Sequence, residues 1–217
     1  DPVEFQLEGI NQIQVHSQIN LTFANALRSI LRQDPDIIMI GEMRDGETAQ
    51  IAVQSALTGH LVLSTLHTNT AAGAVIRMQD MGVERYLITS AVNGVLAQRL
   101  VRTLCGHCKE ASEPGAAVRQ STGLSRFCPT DQLVYRAVGC EHCRQSGYRG
   151  RTGIHELLAL DEPMRRAIIE GRDANTLNAI AAQAGMLSLH EDGLRKVAAG
   201  VTTLDELARV TQDQSDA

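Results

Sequence analysis

Two matched pairs, Cys105-Gly106-His107-Cys108 and Cys140-Glu141-His142-Cys143, constrain this chain more than any other feature. A Cys-x-x-Cys knuckle turns two thiolates toward one point, and two knuckles supply the four soft ligands that zinc takes in a tetrahedron. Residues 109–139 allow the pairs to meet. Four sulfur ligands leave no position for water, so the spacing predicts a structural Zn2+ on Cys105, Cys108, Cys140 and Cys143. Cys128, His107 and His142 are spare donors and are read as non-ligands. The start of the chain lacks the charged and apolar regions of a secretion signal, and no apolar run reaches about 18 residues. Neither a leader nor a membrane span is expected, and the five cysteines are read as metal ligands or free thiols in a reducing compartment.

The rest of the chain reads as α/β. Hydrophobic residues make up 43% while aromatics are 3% and Trp is absent, so the core must come from Leu, Ile, Val, Ala and Met. Phe23, Ala26, Leu27, Ile30 and Leu31 recur at helical spacing, and that helix should stop near Asp34-Pro35. Ile37-Ile38-Met39-Ile40 is an apolar run expected as a strand buried on both faces of a parallel sheet. A helix over 48–57, closed by Gly59, and a second strand over 61–65 complete a parallel crossover. Helices are expected over 71–81 and 86–104. Between Cys105 and Arg151 the composition turns to Gly, Cys, Pro and polar residues, which predicts a loop-rich insert. Four short helices should follow over 163–170, 175–184, 188–199 and 204–211. Thr203 and Glu206 should form a reciprocal capping box on the last. Three regions result: 1–104, 105–150 and 151–217.

Ile37 to Ile40 followed by Gly41-Glu42 has the form of a Walker B strand. It delivers a carboxylate to the carboxyl end of a parallel strand, where open α/β sheets bind ligands. Such a carboxylate organises hydrated Mg2+ and orients an attacking water; the plainer alternative is a solvated strand-end glutamate. The second strand ends at Leu66-His67-Thr68-Asn69 on the same edge and brings His67 toward the same crevice. His60, before that strand, is read as structural. A formal charge of −5 argues against nucleic acid as a partner, despite a local cluster of Arg144, Arg149 and Arg151.

Longer stretches carry a resemblance. Phe23-Ala24-Asn25-Ala26-Leu27-Arg28 through Asp34-Pro35-Asp36, Gly41-Glu42-Met43-Arg44-Asp45, Thr58-Gly59-His60 through His67-Thr68-Asn69, and Gly147-Tyr148-Arg149-Gly150-Arg151-Thr152-Gly153 closely resemble the secretion ATPases of type II secretion and type IV pilus assembly. The likeness covers nearly the whole chain. The tetracysteine insert and residues 95–102 look more like the type II branch, the general secretory pathway E type.

That resemblance implies part of a RecA-like P-loop NTPase core with a tetracysteine zinc lobe and a C-terminal helical subdomain. It implies ATP hydrolysis with Mg2+, Glu42 as the Walker B glutamate and His67 as the His-box residue. Arg28, Arg32 and Arg99, with Asp1 and Glu4 of the Asp box, become candidates for nucleotide or interface contacts; surface salt bridging is the alternative for the arginines. The implied assembly is a cytoplasmic homo-hexamer, peripheral on an inner-membrane secretion platform and driving a pseudopilus. Gln18 and Asn25 depart from the pattern, standing where arginine is frequent. Lys109 and Lys196 are the only lysines, followed by Glu110 and Val197, so no GxxxxGK[ST] loop is present to cradle phosphates. The chain therefore reads as a C-terminal part of the motor, not expected to hydrolyse ATP alone. The rival readings are a type IV pilus assembly ATPase and a non-catalytic zinc-lobe interaction module.

Overall fold

The structure, a computed structural model, describes residue 3 and residues 5–211; Asp1 and Glu4 lie outside the described residues. Helix α1, Phe23–Ile30, is capped by Thr22, whose hydroxyl accepts the Asn25 N–H at 3.2 Å, and it tightens into a 3-10 turn at Leu31–Gln33 before Pro35. Strand β1, Ile37–Ile40, runs parallel to β2, Leu61–Ser64, with Ile37 opposite Leu61 and Ile40 opposite Ser64. Helix α2, Gly46–Leu57, makes the crossover; Asp45 caps it by accepting the Thr48 N–H at 2.8 Å. Then come α3, Ala71–Asp80, and α4, Arg85–Ala91.

The expectation of a sheet buried on both faces fails. Ile38 and Ile40 pack with Leu27 and Ala52, whereas Ile37, Met39, Leu61 and Leu63 are all exposed. Side chains alternate across a strand, and among the described residues core forms against one face alone.

Residues 94–104 are also not helical. Strand β3, Gly94–Leu104, follows α4 and is hydrogen-bonded in a two-stranded sheet to β6, Tyr148–Ala159. The chain turns extended at Val92, and alternation then sets the pattern, with Leu96 and Leu100 outward and Val101 fully buried. The insert holds more regular structure than its composition suggests. Strand β4, Glu110–Ser112, pairs antiparallel with β5, Val134–Arg136, and α5, Ala116–Thr122, lies between them. Arg119, 5% exposed, ties this segment together by donating to the carbonyls of Cys128, Pro129 and Gln132 at 3.2, 2.9 and 2.7 Å.

Four helices complete the described residues: α6, Glu162–Glu170; α7, Ala174–Gln183; α8, Leu189–Ala198; and α9, Leu204–Thr211. Thr203 accepts the Glu206 N–H at 3.1 Å, but the reciprocal half of the expected capping box is missing. Both Glu206 oxygens are engaged elsewhere: Oε1 accepts the Arg102 main-chain N–H and an Arg209 N–H, and Oε2 accepts from the guanidinium groups of Arg102 and Arg209, charge-assisted bonds that hold a buried carboxylate strongly. A full reciprocal box forms instead at Ser188 and Glu191 on α8.

The chain divides into two compact units, each built from two stretches: 1–95 with 159–181, and 96–158 with 182–217. The first contains the parallel crossover. The second has one core in which Val101, Leu124, Cys128, Val134 and Ile154 pack with Leu189, Leu194, Val197 and Leu207. Apolar residues of the insert thus share their burial with α8 and α9.

Candidate functional site

Glu42 lies two residues past the end of β1, after Gly41, and is 7% exposed. Its position is fixed by bonds between the two strand ends: the Met43 N–H donates to Thr65 O at 3.1 Å, and the Thr65 hydroxyl donates to Gly41 O at 2.6 Å. Oε1 lies 3.0 Å from His67 Nε2. Oε2 lies 2.5 Å from both Nε and Nη2 of Arg44. The two strands therefore bring Glu42 and His67 together at their carboxyl ends, the edge at which open parallel sheets bind ligands. His60 is separately engaged: its Nδ1 lies 2.9 Å from Ser55 O and 3.2 Å from the Thr58 hydroxyl, at the end of α2.

Arg44 is the residue that sequence reasoning left without a role. The available signal was its place two residues after the strand-end glutamate, short enough for the guanidinium to fold back onto that carboxylate. Of the arginines singled out, Arg28 pairs with Glu47 at 2.6 Å and touches Asn25 Oδ1 at 3.3 Å, and Arg32 reaches Ser29 Oγ at 3.2 Å; both are exposed. Arg99, in the other unit, donates to Val210 O at 2.6 Å near the end of α9.

The four knuckle cysteines converge in the second unit, their sulfurs all within 4.8 Å of one another. Four Zn–S bonds of ~2.3 Å in a tetrahedron require sulfur–sulfur separations of about 3.8 Å. Here Cys105–Cys140 is 3.9 Å, Cys108–Cys143 is 3.8 Å and Cys140–Cys143 is 3.7 Å. Such spacing is far too long for disulfides and right for sharing one ion. Burial pushes the Cys143 thiol upward, but the N–H groups of Cys140 and Gly147, each 3.2 Å from its sulfur, outweigh that and pull it down to about 6. Burial, with the neighbouring thiols, pushes Cys108 up to about 12. The donor set fits a thiophilic cation, which would hold all four as thiolates. His107 and His142 stack on each other with ring centroids 4.1 Å apart, and Cys128 lies in the hydrophobic core. Among the described residues no helix is long and apolar enough to cross a membrane.

Residues 1–209 match the family model described as type II/IV secretion system protein. Curated relatives include the type II secretion system protein HxcR of Pseudomonas aeruginosa, 56% identical over 98% of this chain and 41% of its own length. The type II secretion system ATPase E of Vibrio cholerae is 52% identical over 98% of this chain and 42% of its length. The type IV pilus assembly ATPase PilB of Thermus thermophilus is 53% identical over 98% of this chain and 24% of its length. The chain thus spans less than half of each. Among solved structures, the pilus retraction motor PilT with bound ADP has a TM-score of 0.62 at 27% identity, covering 91% of this chain and 46% of that one. The Legionella pneumophila ATPase DotB also scores 0.62, at 24% identity over 96% of this chain and 48% of its own. These likenesses agree with the RecA-like α/β fold that the family resemblance implies.

Proposed function

The chain belongs to the type II/IV secretion system protein family, and from that premise we propose that it forms part of an ATP-hydrolysing motor of type II protein secretion. The observation that carries this reading is the Glu42 carboxylate at the end of a parallel strand, 3.0 Å from His67 Nε2. In the intact protein Glu42 orients and activates the water that attacks the γ-phosphate, and His67 lies beside the same phosphate. Mg2+, bound with ATP, neutralises charge on the phosphate oxygens. The reaction is phosphoryl transfer to water, in which positioning and electrostatics supply most of the catalysis. ATP as the nucleotide accords with relatives called ATPases and with the ADP bound in PilT.

Cys105, Cys108, Cys140 and Cys143 hold one Zn2+, and its role is to stabilise the second unit. Arg28, Arg32 and Arg99, with Asp1 and Glu4, serve nucleotide or subunit contacts in a homo-hexamer that works on the cytoplasmic side of an inner-membrane platform. The motor drives pseudopilus assembly and export across the outer membrane.

A strain lacking the gene should stop releasing exported proteins into the medium, and a copy carrying Glu42→Gln should not restore release. Type IV pilus assembly is the second reading, favoured by the 53% identity with PilB. Loss of surface pili with secretion intact would replace the first reading with the second.

A further inference from the structure

Glu42 presents two oxygens that are held in different ways. Oε2 is gripped by Nε and Nη2 of Arg44, both at 2.5 Å. Oε1 has His67 Nε2 beside it at 3.0 Å, and the His67 side chain is 85% exposed. A guanidinium stays charged at any working pH, and here its Nη2 adds an ion contact to the Nε hydrogen bond, whereas a largely exposed imidazole beside Oε1 yields easily to a competing water. The backbone that carries Arg44 is fixed on both sides, by the Met43 bond to Thr65 and by the Asp45 cap on α2.

We propose that Arg44 is a positioning residue for hydrolysis: it anchors Glu42 through Oε2, leaving Oε1, on the His67 side, as the oxygen that receives the attacking water. Arg44 acts through Glu42 and does not itself touch the reacting atoms. The inference rests on Glu42 being the hydrolytic carboxylate. Anchoring confines the carboxylate to one orientation, and such confinement lowers the barrier to reaction without improving substrate binding.

The test uses the intact protein with saturating Mg2+ and a titration of ATP, comparing the parent with Arg44→Ala, Arg44→Lys, Glu42→Gln and the Arg44→Ala/Glu42→Gln double variant. Arg44→Ala should lower kcat about 10- to 100-fold while KM and the Kd for a fluorescent ATP analogue stay within about twofold. Arg44→Lys, which keeps the charge but not the fork, should recover part of the loss. In the Glu42→Gln background Arg44→Ala should have no further effect on rate, because the group it positions is already gone. The inference is overturned by a kcat for Arg44→Ala within twofold of the parent. It is equally overturned by a rise in KM and Kd that accounts for the whole loss, or by an equal loss in the Glu42→Gln background. Turnover in the parent that Glu42→Gln leaves unchanged would remove the underlying reading and this inference together, whereas a Glu42→Gln defect without an Arg44→Ala defect would remove the inference alone.

Discussion

A carboxylate shut away from water must be held by cations, and Glu206 is 1% exposed. Burial pushes its carboxyl up, but hydrogen bonds from Arg209 and Arg102 more than reverse that and hold it at about 2. Because the folded value lies below the unfolded one, its contribution is fully present above the ordinary glutamate range. That contribution is lost as pH falls from about 4.5 toward 2. Glu206→Gln should therefore cost about 2 kcal/mol or more at pH 7 and flatten the acid dependence across that window, as read by denaturant unfolding. Identical acid sensitivity in both proteins would contradict the assignment. Individual residues were unevenly legible in the sequence. Glu42 and His67 could be read as neighbours because each follows an apolar run ending at the same sheet edge. Glu206 was misread as a capping partner, since nothing local to Thr203 and Glu206 reveals that Arg102, far away in sequence, takes both oxygens.

At the scale of elements, the parallel crossover was the most legible part, because short apolar runs and a terminal glycine are local signals. What those signals omit is how closely the elements approach. Gly46 opens α2, and a Cβ placed there would lie 2.3 Å from the backbone oxygen of Met81, which caps α3. A carbonyl cannot swing aside as a side-chain tip can, so Gly46→Ala should destabilise by about 2 kcal/mol, measured by thermal or denaturant unfolding. A variant as stable as the parent would show that the two helices do not approach this closely. Strand β3 was illegible for a different reason. Val95, Leu96, Ala97, Leu100, Val101 and Leu104 satisfy helical spacing as well as alternation, and the choice is made by pairing with β6, about fifty residues away. In β6, Ile154, Glu156 and Leu158 are buried while Leu157 is exposed, an alternation concealed by the glycines and arginines before it and by a glutamate on its inner face.

In the molecule as a whole, two units carry two kinds of chemistry: the strand-end carboxylate in one and the sulfur cluster in the other. The convergence of the four cysteines was legible from spacing alone, and their sulfur geometry fits one shared metal ion. The sharing of one core by the insert, α8 and α9 was not legible, because that core is assembled from residues as distant as Val101 and Leu207. Metal analysis of unchelated protein should give about one zinc per chain, as four thiolates form one closed site. Chelation should then raise amide exchange in the second unit, around Val101, Ile154 and Leu194, well before it does so in β1, β2 and α2. Uniform loss of protection would contradict a metal confined to stabilising one unit. The central claim is that Glu42 is the hydrolytic carboxylate of an ATP-driven motor, and phosphate release from ATP by the intact protein tests it most directly. Mg2+-dependent turnover that falls about 100-fold or more in Glu42→Gln, with nucleotide affinity retained, is the predicted result; equal rates in the two proteins would contradict it.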